Sequence, residues 1–348
     1  MELQFRNLML NDVEWMTEVV NDPEVAKYSL SIYPKTQHNV EERLIKNMEE
    51  KNAKHVVAEF ENEPAGTASL EWQVGRRNSH IAWLGIDVRK KHWGKGVGSA
   101  LIQEIIRVAK ELGFRKIVLG VFEGNERGLR LYKKFGFKRE AYEKDMVWID
   151  GSWRESVIMG LELAPCIPYL KQTHILHDIE KRHSTCNAHM CITHLENHDL
   201  EEVNRLQNCV YSTKSSSRIP PVTKEQTKQW YEGIDSKEQK HCLACLNNDK
   251  LLGYLQFEGE ISPFSCLKFE EIIVDVNQRP YETTMALIDA IKSFKERYGY
   301  RRISTYISEI SHPIIDALED NGFKKTGIIK GYYYVDGYYT NALVYGYP

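Results

Sequence analysis

Apolar and polar positions along this chain change period several times, and the changes mark out its elements. Alternation with a period of two runs through residues 54–61 and 65–73, which predicts a hairpin of half-buried strands. A further strand is expected over 80–88. From Ser99 the period lengthens: Leu101, Ile105, Val108 and Leu112 fall on one face of a helix, and Gly113 is a natural stop. A strand over 116–122, a short helix ending in Tyr132-Lys-Lys-Phe-Gly-Phe137 and a last hairpin turning at Asp150-Gly151 complete the series. It opens with a strand at about 3–8 and a helix capped at Asn11-Asp12.

The same order returns about 186 residues later. Lys54-His-Val-Val-Ala58 lies against Lys240-His-Cys-Leu-Ala244, Gly113-Phe-Arg-Lys-Ile117 against Gly299-Tyr-Arg-Arg-Ile303, and Gly136-Phe-Lys138 against Gly322-Phe-Lys324. Residues 100–160 align with 286–346 without a gap, and fifteen of the sixty-one positions are identical. Unrelated chains of average composition agree at roughly one position in sixteen, so the pattern reads as a tandem duplication. The expected domains are residues 1–163 and 190–348, joined by a linker over 164–189. Strands and helices are mixed, with adjacent hairpins and few crossovers, so each copy is expected to be α+β, a mixed and mostly antiparallel twisted sheet flanked by helices.

Composition narrows the function classes. Charged residues make up 27% of the chain and the net charge is −3, which argues against a nucleic-acid partner held by a basic field. No apolar run approaches the ~20 residues of a membrane span, so no membrane partner is expected. The opening Met1-Glu-Leu-Gln-Phe-Arg6 lacks the layout of a signal peptide. All seven cysteines follow residue 165 in no framework spacing, which fits reduced thiols and a cytoplasmic protein. The linker is dense in ligand types (His174, His177, His183, Cys186 and His189), but no pair has a finger-like arrangement, and no metal is expected. Cys242-x-x-Cys245 falls within a strand, where residues three apart point to opposite faces, so it is not a redox or metal pair.

The candidate chemistry sits in Ile86-Asp-Val-Arg-Lys-Lys-His-Trp-Gly-Lys-Gly-Val-Gly98. A strand runs into glycines at alternate positions, and these run into a helix. Bare amides at a helix N-terminus, approached closely through glycine, form a cradle for phosphate.

With Asn125-Glu-Arg-Gly-Leu-Arg-Leu-Tyr132 downstream, the first copy resembles the GNAT-type N-acetyltransferases, and Asn21-Asp-Pro-Glu-Val25 is similar to members related to the RimJ/RimL enzymes. The family's Arg/Gln-x-x-Gly-x-Gly/Ala signature reads here Lys91-His92-Trp93-Gly94-Lys95-Gly96. The resemblance implies acetyl-CoA as a substrate, with its pyrophosphate on the amides of Trp93 to Ser99, including Val97 and Gly98. The pantetheine arm is expected along Ile86, Asp87 and Val88, with Asn125 holding it from the other side and Arg127 beside the site. Tyr132 is the implied acid for the departing thiolate. A base is less defined: Glu71 and His80 lie on strands expected to line the acceptor cleft, and a water relay is the favoured route.

The acceptor is expected to be a small-molecule primary amine or a protein N-terminus. A non-catalytic binding or scaffold protein, another acyl donor and an O-linked acceptor stay open. In the second copy Asn-Gln-Arg-Pro-Tyr281 replaces the glycine loop, Ser311 stands for Asn125 and Leu318 for Tyr132. Pro280 also removes an amide donor. That copy is therefore expected to be degenerate, its tyrosine-rich hairpin (Tyr332, Tyr333, Tyr334, Tyr338, Tyr339) either walling the acceptor site or packing its own strands. The pair is expected to be a monomer that imitates a dimer, or a weak homodimer.

Overall fold

The computed structural model describes residues 3–28, 34–49, 52–149, 152–163, 190–209, 219–235, 240–259 and 266–348. The chain divides into two compact units, Met1–Cys166 and Ile167–Pro348. The histidine- and cysteine-rich linker and the Asp150-Gly151 turn lie outside the described residues.

The first unit begins with strand β1 (Leu3–Asn7) and helices α1 (Val13–Asn21), α2 (Pro23–Ala26) and α3 (Gln37–Glu49). Strands β2 (Ala53–Phe60), β3 (Glu63–Trp72) and β4 (Ile81–Val88) follow, then helix α4 (Val97–Glu111), strand β5 (Lys116–Phe122), helix α5 (Glu126–Lys134) and the hairpin β6 (Lys138–Ile149) and β7 (Ser152–Glu162). Their order across the sheet is β1-β2-β3-β4-β5-β7-β6. The neighbours are antiparallel except β4 and β5, which α4 connects as a parallel crossover.

Each sheet face has its own core. Leu101, Ile105 and Val108 of α4 pack on Val56, Ala58, Ala68, Leu70, Leu84 and Leu119. On the opposite face Trp15, Met16 and Val19 of α1 and Val40 and Leu44 of α3 cover Val57. Leu112, expected on the buried stripe of α4, caps that helix and is exposed. It sits one residue past the last helical turn, where the chain leaves the sheet. Ile102 and Ala109 widen the buried stripe instead, as a helix lying on a sheet rather than on another helix requires.

The second unit repeats this plan. Strand β8 (Met190–His194), helices α6 (Leu200–Asn208) and α7 (Lys224–Asp235) and strands β9 (Lys240–Asn247), β10 (Lys250–Gly259) and β11 (Cys266–Val274) lead to helix α8 (Pro280–Tyr298). Strand β12 (Arg302–Ser308), helix α9 (His312–Asp320) and the hairpin β13 (Lys324–Val335) and β14 (Tyr338–Tyr347) complete it. The sheet order is β8-β9-β10-β11-β12-β14-β13, again with one parallel neighbour pair, β11 and β12. Cys242 and Cys245 belong to different cores on opposite faces of β9, as strand alternation demands. Asp336 and Gly337 both take positive φ (50° and 90°), the two-residue turn that the Asp-Gly pair predicts. Tyr332 and Tyr333 are buried and pack against each other, Tyr333 donating its hydroxyl to the Tyr306 carbonyl at 3.0 Å.

Candidate active site

Strands β4 and β5 pair only at Ile81↔Lys116, Ala82↔Ile117 and Trp83↔Val118. Beyond Trp83 they separate, while β4 continues to Val88 with β3 on its other side. Backbone groups of alternate residues point to opposite sides of a strand. The Arg89 N–H donates to the Ala65 carbonyl at 2.9 Å on the β3 side, so the amides and carbonyls of Ile86 and Val88 face the opening. Those of Asp87 face β3. One of the open acceptors is used internally: the Trp93 indole N–H donates to the Val88 carbonyl at 2.7 Å.

The glycine loop closes the wide end of this opening. Lys90–His92 make a turn of 3-10 helix. The amide of His92 donates to Arg89 (2.9 Å), that of Trp93 to Lys90 (3.1 Å) and that of Lys95 to His92 (3.4 Å). Gly94 and Gly96 then take φ of +76° and +87°, which an L side chain adopts only with strain. The amides of Gly94, Gly96, Val97, Gly98 and Ser99 have no acceptor among the described residues. Five donors thus stand at the positive end of a fifteen-residue helix. The cradle expected over Trp93 to Ser99 is narrower than its span, because the Trp93 and Lys95 amides hold the loop itself together.

Around the cradle the surface is basic. The Arg127 guanidinium lies over the Trp93 ring, 3.2 Å from its centroid, and burial holds its pKa below the usual value. Lys91 pairs with Glu63. His92 is buried beneath the loop, edge-on to Phe60, with neither ring nitrogen hydrogen-bonded among the described residues. Burial, and then Lys91, Lys95 and Arg89, push its pKa down. The Trp93 lock was not signalled in the sequence, where that residue is expected only to lend its amide to the cradle.

Helix α5 supplies the opposite wall. Asn125 is its N-cap, its carboxamide oxygen accepting the Gly128 N–H at 2.9 Å. That oxygen is therefore committed to the helix. Tyr132 is buried in the last turn of α5, with the Phe137 ring at 5.9 Å. Burial raises the Tyr132 hydroxyl well above an ordinary phenol, and the Asp87 carboxylate adds to the shift. The phenol thus keeps its proton at neutral pH. Glu71 pairs with Trp83 and is exposed, where β4 and β5 are still joined. His80 precedes β4, its carbonyl accepting the Arg115 N–H at 2.9 Å. Glu71 thus stands where β4 and β5 begin to part, with His80 further back, and Val88 at the wide end is five residues beyond Trp83, about 17 Å of extended strand.

The corresponding region of the second unit is built differently. Strand β11 also leaves its parallel neighbour, after Phe269↔Thr305. Arg279, with φ of 52°, caps α8, and Pro280 is its first residue. Asp275 stands in the loop and accepts from the Asn277 amide (3.1 Å), the Gln278 carboxamide (2.9 Å) and Arg205 (2.9 Å). Burial opposes ionisation of Asp275, but these donors outweigh it and keep its pKa low. Leu318 is buried in the core, and Ser311 makes no side-chain cap.

Comparison with known proteins agrees with this geometry. The model described as the acetyltransferase (GNAT) family matches residues 17–137, and that of an acetyltransferase (GNAT) domain matches residues 192–344. The L-amino acid N-acetyltransferase AaaT of Escherichia coli K12 is 29% identical over 160 residues, covering 46% of this chain and 97% of AaaT. YwnH of Bacillus subtilis strain 168, whose name carries a provisional assignment as a phosphinothricin acetyltransferase, is 36% identical over 110 residues, covering 31% of this chain and 68% of YwnH. The structure of a GNAT-family acetyltransferase from Streptococcus pneumoniae covers 46% of this chain and 99% of its own, at 25% identity and a TM-score of 0.41. The chain is a member of the GNAT acetyltransferases, with two of their domains in tandem.

Proposed function

We propose that this protein transfers the acetyl group of acetyl-CoA to a primary amine in a ternary complex, with the first unit as the working site. The observation that carries the reading is the set of five unpaired amides at Gly94 and Gly96–Ser99, at the head of α4 and beside the unpaired edge of β4. The amides and the helix dipole suit a pyrophosphate. The backbone groups of Ile86 and the amide of Val88, which face the opening, suit a pantetheine arm lying as an extra strand. AaaT carries an N-acetyltransferase name with an amine acceptor, in keeping with this chemistry.

The transfer balances as follows. An ammonium loses one proton, and the neutral nitrogen attacks the thioester carbonyl carbon. A C–N bond forms, the C–S bond breaks as the tetrahedral adduct collapses, and the nitrogen sheds its second proton. The leaving sulfur takes a proton from the Tyr132 hydroxyl, which solvent replenishes, so one proton is released overall. In the second unit the Asp275 carboxylate occupies loop donors, Pro280 lacks an amide hydrogen and Leu318 has no proton to give. We assign that unit no transferase site.

Release of free CoA thiol, followed with a panel of the twenty L-amino acids, spermidine and an alanyl peptide, tests the reading. Acetyl-CoA turnover is expected only with an amine present, yielding an N-acetylated product. Tyr132→Phe is expected to lower kcat by roughly 100- to 10,000-fold with little change in acetyl-CoA affinity. Absence of any N-acetylated product, or a Tyr132→Phe variant at the wild-type rate, overturns it.

A further inference from the structure

Asp87 is the one carboxylate of β4, and the register fixes the face it occupies. Val57 of β2, Thr67 of β3 and Asp87 of β4 are cross-strand partners in one row. Val57 lies in the core made with α1 and α3, so Asp87 stands on the α3 side of the sheet, at the edge of the opening between β4 and β5. Two residues back on the same face, Gly85 is exposed and carries no side chain, and the Ser69 hydroxyl of β3 lies 2.8 Å from where its Cβ would stand.

Helix α3 brings an opposite charge over this floor. Val40 and Leu44 are its buried residues, and Arg43 sits between them in sequence, three residues after Val40, on the flank of the buried stripe. Its guanidinium is near enough for its charge to act on Asp87. Both side chains are half-buried, and neither makes a hydrogen bond or ion pair among the described residues. A half-buried carboxylate and guanidinium within reach of each other's charge gain from pairing, yet among the described residues these two form no ion pair.

We propose that Asp87 and Arg43 are the two ends of the acceptor site, Asp87 receiving the ammonium that becomes the attacking amine and Arg43 a carboxylate on the same molecule. The acceptor is then a zwitterion of the α-amino-acid class. This rests on the acetyltransferase reading above and deepens it. Burial raises the Asp87 carboxyl, the Arg43 charge offsetting part of the effect, which suits it to take a proton. The Asp87 charge also acts on the Tyr132 hydroxyl, so the group that takes the amine's proton and the group that gives one to sulfur lie within electrostatic reach. Asp87 takes one proton from the ammonium and returns it to solvent after the amide forms, which leaves the balance given above unchanged.

The test compares the best L-amino acid of the panel with its amide and with its decarboxylated amine. Wild-type kcat/KM is expected to favour the amino acid roughly 10- to 100-fold, the range for a hydrogen-bonded charge pair. In Arg43→Met that ratio is expected to fall towards one, through KM rather than kcat. Asp87→Asn is expected to lower kcat/KM about 100-fold or more for all three compounds, while titration calorimetry still finds acetyl-CoA bound, which shows a folded cradle. A wild-type protein that uses the amine or spermidine as well as any amino acid overturns the zwitterion site. So does an Asp87→Asn variant at the wild-type rate, or an Arg43→Met variant that keeps the preference. In those cases the acetyltransferase reading stands; it falls on the outcomes given above, no acetylated amine at all or an undiminished Tyr132→Phe variant.

Discussion

His92 shows how one buried ring couples the loop to pH. It is buried, with Lys91, Lys95 and Arg89 around it and Glu63 at 4.0 Å, and its pKa is held below the ordinary histidine value, first by burial and then by the three cations, which outweigh Glu63. In the unfolded chain the ring binds a proton near pH 6.5. Below that pH the unfolded state holds more protons than the folded one, so His92 contributes full stability above about pH 6.5 and loses it as the pH falls. Carboxylates titrate mostly below pH 5, and His241, whose pKa burial also lowers, belongs to the second unit. Urea midpoints of the full chain are expected to fall between pH 7.5 and 5.5, and His92→Gln is expected to flatten that fall in the first unit. An unchanged slope in the variant removes the coupling. None of this burial shows in the bare Lys-Lys-His-Trp run, whose polarity reads as a solvated turn; the ring is hidden because Phe60, thirty-two residues earlier, lies beside it.

Loop and helix act as one element at the cradle. Gly96 is both the last turn of the loop and the N-cap of α4, and a Cβ placed there meets nothing within 4 Å. Substitution therefore costs backbone strain, about 1 kcal/mol, without a clash. Gly96→Ala is expected to fold and keep most acetyl-CoA affinity. Gly96→Glu is expected to lose at least 100-fold in a calorimetric titration, since a carboxylate competes with the phosphates for the same amides; undiminished binding moves the cradle elsewhere. This element was the most legible part of the sequence, because positive φ at alternate residues leaves glycine almost no substitute. Asn125 was legible too, but its type fits both a clamp and an N-cap, and only the 2.9 Å contact to Gly128 identifies the cap. The Trp93 lock and the approach of the Arg43 charge to Asp87 were not legible. The first depends on a carbonyl left open where β4 parts from β5, and the second on strand register and the seating of α3. Local sequence encodes neither.

At the scale of the whole molecule, two units share a topology, strand for strand, and differ where the chemistry is. Both sheets open between their parallel strands, so the fold preserves the cleft whether or not a ligand uses it. What separates them is the charge placed at the helix head. In the first unit five amides are unclaimed among the described residues; in the second, Asp275 brings its own anion and is held by Arg205, Asn277 and Gln278. A pyrophosphate entering there meets a like charge at close range and displaces hydrogen bonds to a buried carboxylate, each costly to lose. Titration of the full chain is therefore expected to find one acetyl-CoA per molecule. Ligand at a hundred times its Kd adds about 2.7 kcal/mol to the unit that binds it, so a thermal melt is expected to shift only the transition that Gly96→Glu leaves unresponsive. Two equal sites, or a second transition that shifts in that variant, make the second unit a binding domain. With one site, the second unit is kept for its fold and its surface rather than for transfer.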